Sequence, residues 1–243
     1  MTYRPRDFWE ERLTGQFDLR GTGETGLPLA YNRACYRLRA EVLTGCLARA
    51  GVTPRGRRVL DVGCGTGYWT DYYVSRGADY TGVDLAQVSV DRLAARHPAQ
   101  RFVRADVSDH VPGGPYDLVN VFDVLYHVTD DARWEAALGH LAAAVAPGGL
   151  LLVTDSFSKL GALAEHNVMR PLARYLAVLG PAGLVREQLR PTHVLLNRHL
   201  GPWRFLNRWP GSLLALDRAL LALGFGQDAG TNKLLVCRRP IHG

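Results

Sequence analysis

Residues 59–67 of this chain read VLDVGCGTG, and the rest of the sequence can be interpreted outward from them. The first three residues are typical of the end of a short apolar strand, and glycines occupy alternate positions after it, Gly63, Gly65 and Gly67. The next stretch, YWTDYYVSRG, can form a helix. A strand, a glycine turn and a helix start together present backbone N–H groups to a ligand. Because glycines also occur in ordinary tight connections, the interpretation depends on the residues found at fixed distances beyond the turn.

An acidic residue follows the glycine turn at an informative distance. The apolar stretch ADYTGVDLA carries Asp84 about 20 residues beyond the turn, where a carboxylate at the end of a second strand accepts hydrogen bonds from ribose hydroxyls. Asp84 also suits a helix N-cap. The nicotinamide fingerprint G-x-G-x-x-G needs a small residue where this chain has Tyr68, so the dinucleotide interpretation fails at that position.

Three further apolar stretches continue the alternation of strands and helical segments. RFVRADV reaches Asp106, YDLVNVFDVLYHV passes through Phe122 to His127, and PGGLLLVTD opens with a turn at Pro147. Strands that alternate with helices in this way predict an α/β fold with a doubly wound, mostly parallel sheet.

At this point the chain resembles the class I S-adenosylmethionine-dependent methyltransferases that act on small molecules in natural-product pathways. The matching segments are, in order, VLDVGCGTG, GVDLA, ADV, YDLVNVFDVLYHV and APGGLLLVTD, and the resemblance is strong over residues 55–156. It implies a seven-stranded Rossmann-like sheet, S-adenosylmethionine as cofactor and methyltransferase activity, EC 2.1.1.

The resemblance also implies where the cofactor lies. Asp84 is expected on the ribose, Asp61 at the amino-acid end, Asp106 and the Val107 backbone at the adenine, and the Phe122 main chain near the sulfur. The full implied set of cofactor residues is Asp61, Gly63, Gly65, Gly67, Asp84, Leu85, Asp106, Val107 and Phe122.

The chain is expected to be a single methyltransferase domain with three parts. Residues 1–54 form an N-terminal helical arm or lid, residues 55–156 form the cofactor-binding core, and residues 157–243 supply substrate-side helices and closing strands. In the arm, a helix over residues 5–13 precedes a glycine-rich loop and a second helix that begins near Tyr31.

The C-terminal part is expected to close the sheet with a strand pair that carries an insertion. A helix over residues 159–179 comes first, and the stretch PTHVLLN, residues 191–197, then pairs with NKLLVC. The helical insertion at residues 198–224 lies between them, where a substrate pocket would be built. Its apolar helix over residues 212–223 suits the core, a pocket wall or a dimer surface, and a homodimer is therefore one of the open alternatives.

Arms of the resembled family often lie over the cofactor, so the arm and the insertion supply candidate contacts. The candidate substrate or lid residues are Tyr31, Tyr36, Trp203 and Trp209. Packing is the alternative role of Tyr31 and Tyr36. Glycines at positions 21, 23 and 26 would let the arm move and close over cofactor and substrate.

Composition places the chain among soluble, cytoplasmic proteins. The four cysteines are scattered without C-x-x-C spacing, the N-terminus is charged and lacks an apolar h-region, and no apolar run approaches the length of a membrane span. The net charge of +6 comes almost wholly from arginines, which are spread along the chain. A dense basic run is typical of nucleic-acid sites, so this pattern does not favour a nucleic-acid partner.

His127 is the candidate catalytic residue, because it comes after the fourth predicted strand and an imidazole suits a general base. A histidine that is merely hydrogen-bonded at a strand end is the alternative. No three residues with metal-ligand spacing are found, so no metal is expected.

The substrate is expected to be an apolar or aromatic small molecule. Methylases of exocyclic amines usually carry [ND]-P-P-[YF] after the fourth strand, and this chain has FDVL at residues 122–125. The aromatic C-terminal region instead favours an apolar ligand. Three alternatives stay open: a lipid or quinone methyltransferase at the membrane surface, an RNA methyltransferase, and a cofactor-binding protein without catalysis.

Overall fold

The computed structural model describes residues 3–158, 161–196, 200–227 and 231–241, in which strands and helices alternate from residue 58 onward. The helices are α1 (Pro5–Gly15), α2 (Leu19–Thr22), α3 (Leu29–Arg49), α4 (Tyr68–Val74), α5 (Gln87–Arg96), α6 (Asp131–Ala144), α7 (Leu172–Leu179) and α8 (Pro210–Ala222). The strands are β1 (Arg58–Val62), β2 (Asp79–Asp84), β3 (Arg101–Arg104), β4 (Tyr116–Phe122), β5 (Val145–Asp155), β6 (Ala162–Ala164), β7 (Asn167–Val168), β8 (Val185–Pro191) and β9 (Lys233–Arg238). Short 3₁₀ helices cover Leu125–His127 and Gly201–Arg208.

Seven of these strands form one sheet in the order β3-β2-β1-β4-β5-β9-β8. The first five are parallel, while β9 is antiparallel to both β5 and β8. The predicted doubly wound, mostly parallel seven-stranded sheet is therefore confirmed. The strand order reverses between β1 and β4, and ligands of open α/β sheets bind at the carboxyl ends of the strands at such a point.

Helices cover both faces of the sheet. α6 and α7 pack on one face around Trp134 and Tyr175, which are fully buried. α3 and α4 pack on the other face, where Leu43 and Tyr73 are fully buried. The alternation of strands and helices in the sequence produces this three-layer arrangement because each helix must bury its apolar stripe against the sheet.

Two predicted elements of the C-terminal part are wrong. The closing strand lies at Val185–Pro191, six residues before the predicted PTHVLLN, and pairs with β9 as the edge of the sheet. The predicted helix over residues 159–179 is helical only in α7, since the described residues before Pro171 contain the small β6–β7 hairpin; residues 159 and 160 lie outside the described residues.

The apolar helix of the insertion is present as α8, and its inward side packs on another helix. It lies against α3, where Leu213 and Leu214 contact a buried cluster that contains Tyr31 and Leu38. Residues 198 and 199 of the predicted insertion lie outside the described residues. α8 therefore covers the outer side of α3.

Candidate active site

The glycine turn after β1 opens a cavity at the switch point of the sheet. Gly63, Gly65 and Gly67 all have positive φ angles, of 74°, 52° and 88°, a region that favours glycine. Gly63 and Gly65 line the cavity directly, whereas Gly67 lies behind them as the N-cap of α4. The turn thus follows the path that the alternating glycines predict.

Asp84 at the end of β2 fixes this turn from below. Its Oδ2 accepts a hydrogen bond from Gly65 N at 2.8 Å and its Oδ1 accepts one from Ala86 N at 2.9 Å. The carboxylate is buried and lines the cavity beside Leu85. Burial raises the pKa of Asp84, against the hydrogen bonds from Ala86 and Gly65. Asp84 is thus not the N-cap of α5, which is Ala86; it holds the backbone of the turn, and its contact with a ligand stays a prediction.

Asp61 lies beneath the wall of the cavity, whereas the resemblance implied a place at the amino-acid end of the cofactor. It has no exposed surface and does not line the cavity, because Tyr80 Oη donates to its Oδ2 at 2.6 Å and Asn120 Nδ2 donates to its Oδ1 at 2.6 Å. Burial raises the pKa of Asp61 to about 7. The structure thus places Asp61 as a support beneath the glycine turn.

A second carboxylate, Asp106, lines the cavity with Val107. Ser108 donates to Asp106 Oδ1 from both its N, at 2.9 Å, and its Oγ, at 2.6 Å, while an Arg133 guanidinium nitrogen lies 2.8 Å from Oδ2. Burial opposes ionisation, but the hydrogen bonds from Ser108 and the charge of Arg133 outweigh it, so the pKa of Asp106 lies below its usual value. Asp106 is a fixed, ionised acceptor at one end of the cavity.

The N-terminal arm covers the cavity. Trp9 and Leu13 of α1 line it, together with Thr22 and Tyr36. Tyr36 Oη donates to Thr22 Oγ1 at 2.9 Å, and Thr22 Oγ1 lies 3.4 Å from Thr66 Oγ1 of the glycine turn. The arm is therefore hydrogen-bonded to the loop that it covers.

His127 lines the cavity next to Trp9, with 4.9 Å between the ring centroids. His127 Nδ1 lies 2.8 Å from the His166 carbonyl oxygen, which can only accept, so Nδ1 carries the proton and Nε2 keeps its lone pair. Burial lowers the pKa of His127 to about 4. The imidazole is consequently neutral at physiological pH.

A half-buried ion pair lies at the wall of the cavity, which its aspartate lines. Asp123, the residue after β4, has a positive φ of 59° and pairs with Arg39 of α3. Asn232 Nδ2 also donates to Asp123 Oδ1 at 3.0 Å, and Thr154 Oγ1 donates to it at 3.1 Å. A non-glycine residue in this region of φ is strained, and such strain is concentrated at functional sites.

Three predicted substrate or lid residues are not brought to the cavity. Tyr31 is buried between α3 and α8, while Trp203 and Trp209 are 62% and 54% exposed on the far side of that pair. The reason is helical geometry. Tyr31 and Tyr36 are five positions apart, about 140° around α3, so Tyr36 faces the cavity while Tyr31 faces α8. Phe122, in contrast, lines the cavity.

The comparisons with known proteins identify the family. A family model described as a methyltransferase domain matches residues 31–225 of this chain. The chain belongs to the class I S-adenosylmethionine-dependent methyltransferases. Membership places it among transferases of class EC 2.1.1, whose cofactor is S-adenosylmethionine.

Two curated relatives and one solved structure illustrate the similarity. The chain is 33% identical over 147 residues to a ubiquinone biosynthesis O-methyltransferase of Bordetella avium, covering 57% of this chain and 54% of that protein. It is 30% identical over 157 residues to a trans-aconitate 2-methyltransferase of Delftia acidovorans, covering 61% and 56%. Both matches thus span about half the length of the relative.

The fold of the whole chain is similar to that of magnesium protoporphyrin IX methyltransferase from Synechocystis PCC 6803, solved with bound S-adenosylmethionine. The TM-score is 0.64 at 17% identity, and the match covers 98% of each chain. At this identity the likeness shows the fold alone.

The residues around the cavity of this methyltransferase fit the family's cofactor. A Cβ at Gly65 would lie 2.5 Å from Thr22 Cγ2, and one at Gly63 would lie 2.3 Å from Val124 Cγ2, so the turn stays open only without side chains. Carboxylates suited to ribose hydroxyls and to an adenine amine, Asp84 and Asp106, lie at the ends of neighbouring strands. Among the residues that the structure describes, no group of three or more His, Cys, Asp or Glu is placed to hold a metal ion.

Several site residues of this methyltransferase carry no signal in the sequence. Trp9 belongs to a helix remote in sequence from the glycine turn, and Arg39 pairs with an aspartate that lies 84 positions away. Arg133 is one of many scattered arginines. The folded structure, and not the sequence, shows that these residues belong to the site.

Proposed function

We propose that this chain transfers a methyl group from S-adenosylmethionine to an apolar or aromatic small molecule. One observation carries the proposal: the same cavity joins the glycine turn and Asp84 to an aromatic wall. The aromatic residues that line the cavity are Trp9, Tyr36, Tyr68, Trp69, Phe122 and His127. The cavity encloses about 240 Å³, slightly below the roughly 300–1,000 Å³ of typical small-molecule sites.

The residues that would hold the donor can be assigned from the geometry of the cavity. Asp84 would accept from ribose hydroxyls, Asp106 and Val107 would lie at the adenine, and the turn at Gly63 and Gly65 would approach the amino-acid end. The bound donor supplies an electrophilic methyl group. The protein contributes alignment of the acceptor with that group and exclusion of water, for which the closed arm and the aromatic wall are suited.

His127 is the candidate base for an acceptor that must lose a proton. Its ring lines the cavity, its Nδ1 is held by the His166 carbonyl, and its Nε2 is free of a proton. Nε2 would take the proton of a nearby acceptor hydroxyl as that oxygen receives the methyl group, whose bond to the donor sulfur breaks so that the donor leaves as S-adenosylhomocysteine. A fixed tautomer, rather than high basicity, is what the structure provides.

The lining of the cavity favours an uncharged acceptor over an acidic one. Arg133 is the arginine among the described cavity residues, and its guanidinium already contacts Asp106 and Asp109. A polycarboxylic acceptor such as trans-aconitate would call for unpaired cationic groups, whereas the aromatic wall suits an acceptor of the quinone-precursor kind named for the first relative. We infer a role in biosynthesis of such a compound.

The direct test is transfer of a labelled methyl group. Purified protein is incubated with methyl-tritiated S-adenosylmethionine and a panel of phenols, catechols, carboxylic acids, bulk tRNA and rRNA. We expect label in an organic-extractable aromatic product and none above background with the Gly65→Val variant, whose side chain would fill the turn. Label in RNA above that of Gly65→Val, or in acids alone, would contradict the proposed acceptor class.

A further inference from the structure

The surface formed by the segment after β8 is unusually apolar for an exposed face. Six large side chains between residues 200 and 227 are about half exposed or more, and Leu223 reaches 74%. These residues, here called the α8 patch, are Trp203, Phe205, Trp209, Leu216, Leu223 and Phe225. The three rings from the 3₁₀ helix and the start of α8 lie together, with centroids of Phe205 6.0 Å from Trp203 and 6.4 Å from Trp209. Exposed apolar side chains clustered as these three rings are mark an interaction site.

The outer face of α8 is uncharged except at its edge, where Arg218 lies. Its inward residues, Leu213 and Leu214, pack on α3, and Asp217 is buried with them. The exposed positions of the helix and its C-cap recur at helical spacing along the opposite side and are Gly211, Ser212, Ala215, Leu216, Arg218, Ala219, Ala222 and Leu223. A helix with one apolar face turned outward suits a position in the plane of a membrane interface.

The charged side chains that residues 200–227 themselves place at the surface have one sign. Asp217 is the acid between residues 200 and 227, and its buried carboxylate accepts from the backbone N–H groups of residues 194–196. The exposed charged residues of the segment are Arg204, Arg208 and Arg218, of which Arg218 pairs with Glu41 of α3. Arg204 and Arg208 adjoin the two tryptophans in sequence, and the described residues 200–227 place no acid at the surface beside them.

We propose that the α8 patch docks this protein on the surface of an anionic lipid bilayer. Tryptophan and phenylalanine lie at the boundary of headgroups and acyl chains, and arginine places its apolar stem there while its guanidinium pairs with lipid phosphate. A second copy of the chain is the less suited occupant, because a two-fold contact pairs the patch with itself and would bring two arginines from each copy into it without an exposed acid from residues 200–227.

Docking in this way would lay the protein on the membrane and leave the cavity accessible. No helix of the described residues is long and apolar enough to cross a bilayer. α3 separates the patch from the cavity, since Tyr31 and Leu38 face α8 while Tyr36 faces the cavity. Docking through the α8 patch does not depend on the proposed methyl transfer. A further consequence, that the methyl acceptor is drawn from the membrane, rests on the proposed function.

Vesicle flotation tests the docking. Full-length protein is mixed with vesicles of phosphatidylcholine and phosphatidylglycerol in equal parts, or of phosphatidylcholine alone, and tryptophan emission is recorded in parallel. We expect flotation with the anionic vesicles and a blue shift of emission, both weakened by salt. Flotation that is equal with neutral vesicles, or absent with both, overturns the proposal.

Two variants and matched controls locate the contact. Leu216→Glu with Leu223→Glu should weaken binding at least about tenfold, because it places carboxylates in the apolar face. Arg204→Gln with Arg208→Gln should weaken it roughly 30-fold. The controls are Val185→Glu, which changes an exposed apolar residue of β8, and Arg55→Gln with Arg186→Gln, which removes two exposed arginines elsewhere.

The outcomes separate the docking from the reaction. Equal losses in variants and controls overturn the proposal, as does a dimer in light scattering that Leu216→Glu dissociates. Calorimetric binding of S-adenosylhomocysteine by every patch variant shows that the cavity is intact. Loss of flotation with retained cofactor binding therefore assigns the effect to the α8 patch, whatever the methyl acceptor is.

Discussion

At the scale of single residues, the site depends on groups whose protonation is set by burial. His127 is the clearest example, since its pKa of about 4 lies well below the ordinary 6.5 of histidine. A base with this pKa is deprotonated over the whole range in which an ordinary histidine titrates. The low pKa of His127 therefore predicts how the rate of the reaction depends on pH.

We predict that kcat/KM stays flat between about pH 5 and 7 and falls only toward the pKa of about 4, where His127 gains a proton. His127→Gln should lower kcat by roughly 10²–10⁴-fold if the acceptor loses a proton in the rate-determining step. Initial rates over pH 4–8 for both proteins measure this, with His140→Gln as the control histidine. An acidic limb near 6.5, or full activity of His127→Gln, would remove His127 as the base.

Asp61 provides a second prediction, this time for stability. Its pKa of about 7 lies above the 3.8 of an unfolded aspartate, so the folded state holds a proton that the unfolded state has lost. The associated stability is fully present below pH 3.8 and is lost as pH rises through about 7.

Asp61→Asn should remove that dependence. Between pH 4 and 8 we expect the free energy of unfolding of the wild type to fall relative to Asp61→Asn by up to about 4 kcal/mol. Urea titrations at several pH values give the difference, with the exposed Asp79→Asn as control. A constant difference across this range would show that Asp61 is ionised throughout.

At the scale of elements, the arm is fastened at an identifiable point. Glu10 of α1 accepts hydrogen bonds from Gln87 N at 2.5 Å and Val88 N at 3.1 Å, the first amides of α5. A carboxylate at a helix N-terminus satisfies orphan donors and complements the helix dipole. Because α5 begins shortly after Asp84, the arm is tied to the strand end that lines the cavity.

We predict that Glu10→Ala loosens the arm by about 1 kcal/mol, so that amides of α1 exchange hydrogen roughly fivefold faster without ligand. S-adenosylhomocysteine should slow exchange over residues 14–36 in the wild type and less in the variant. Glu11→Ala changes the next, exposed position of α1 and is the matched control. Identical exchange in all three proteins, with and without ligand, would show that the arm does not move.

The elements also show what a sequence can and cannot predict. The strands that end at Asp84 and Phe122 were predictable because they are buried apolar runs beside glycine turns. β8 was not, because this edge strand, VREQLRP, is largely exposed and lacks an apolar pattern. The apolar PTHVLLN attracted the prediction, although its described backbone is instead held by the Asp217 carboxylate of α8.

At the scale of the whole molecule, the sequence predicted the architecture better than the site. Five ordered motifs identify one sheet and its switch point, since local patterns determine strands and their glycine turns. The Arg39–Asp123 pair and the contact of Trp9 with His127 join segments that are far apart in the chain. Such contacts depend on packing, and the exposed α8 patch shows that aromatic residues alone do not indicate which face they occupy.

Binding of S-adenosylmethionine at the glycine turn above Asp84 is the property on which the proposed chemistry depends. Titration calorimetry with S-adenosylhomocysteine, on the wild type, Asp84→Ala and the matched Asp79→Ala at the exposed end of the same strand, tests it most directly. We predict stoichiometric binding by the wild type and Asp79→Ala and none by Asp84→Ala, with the fold of all three verified by circular dichroism. Unchanged affinity of a folded Asp84→Ala, or no binding by the wild type, would contradict this placement of the cofactor.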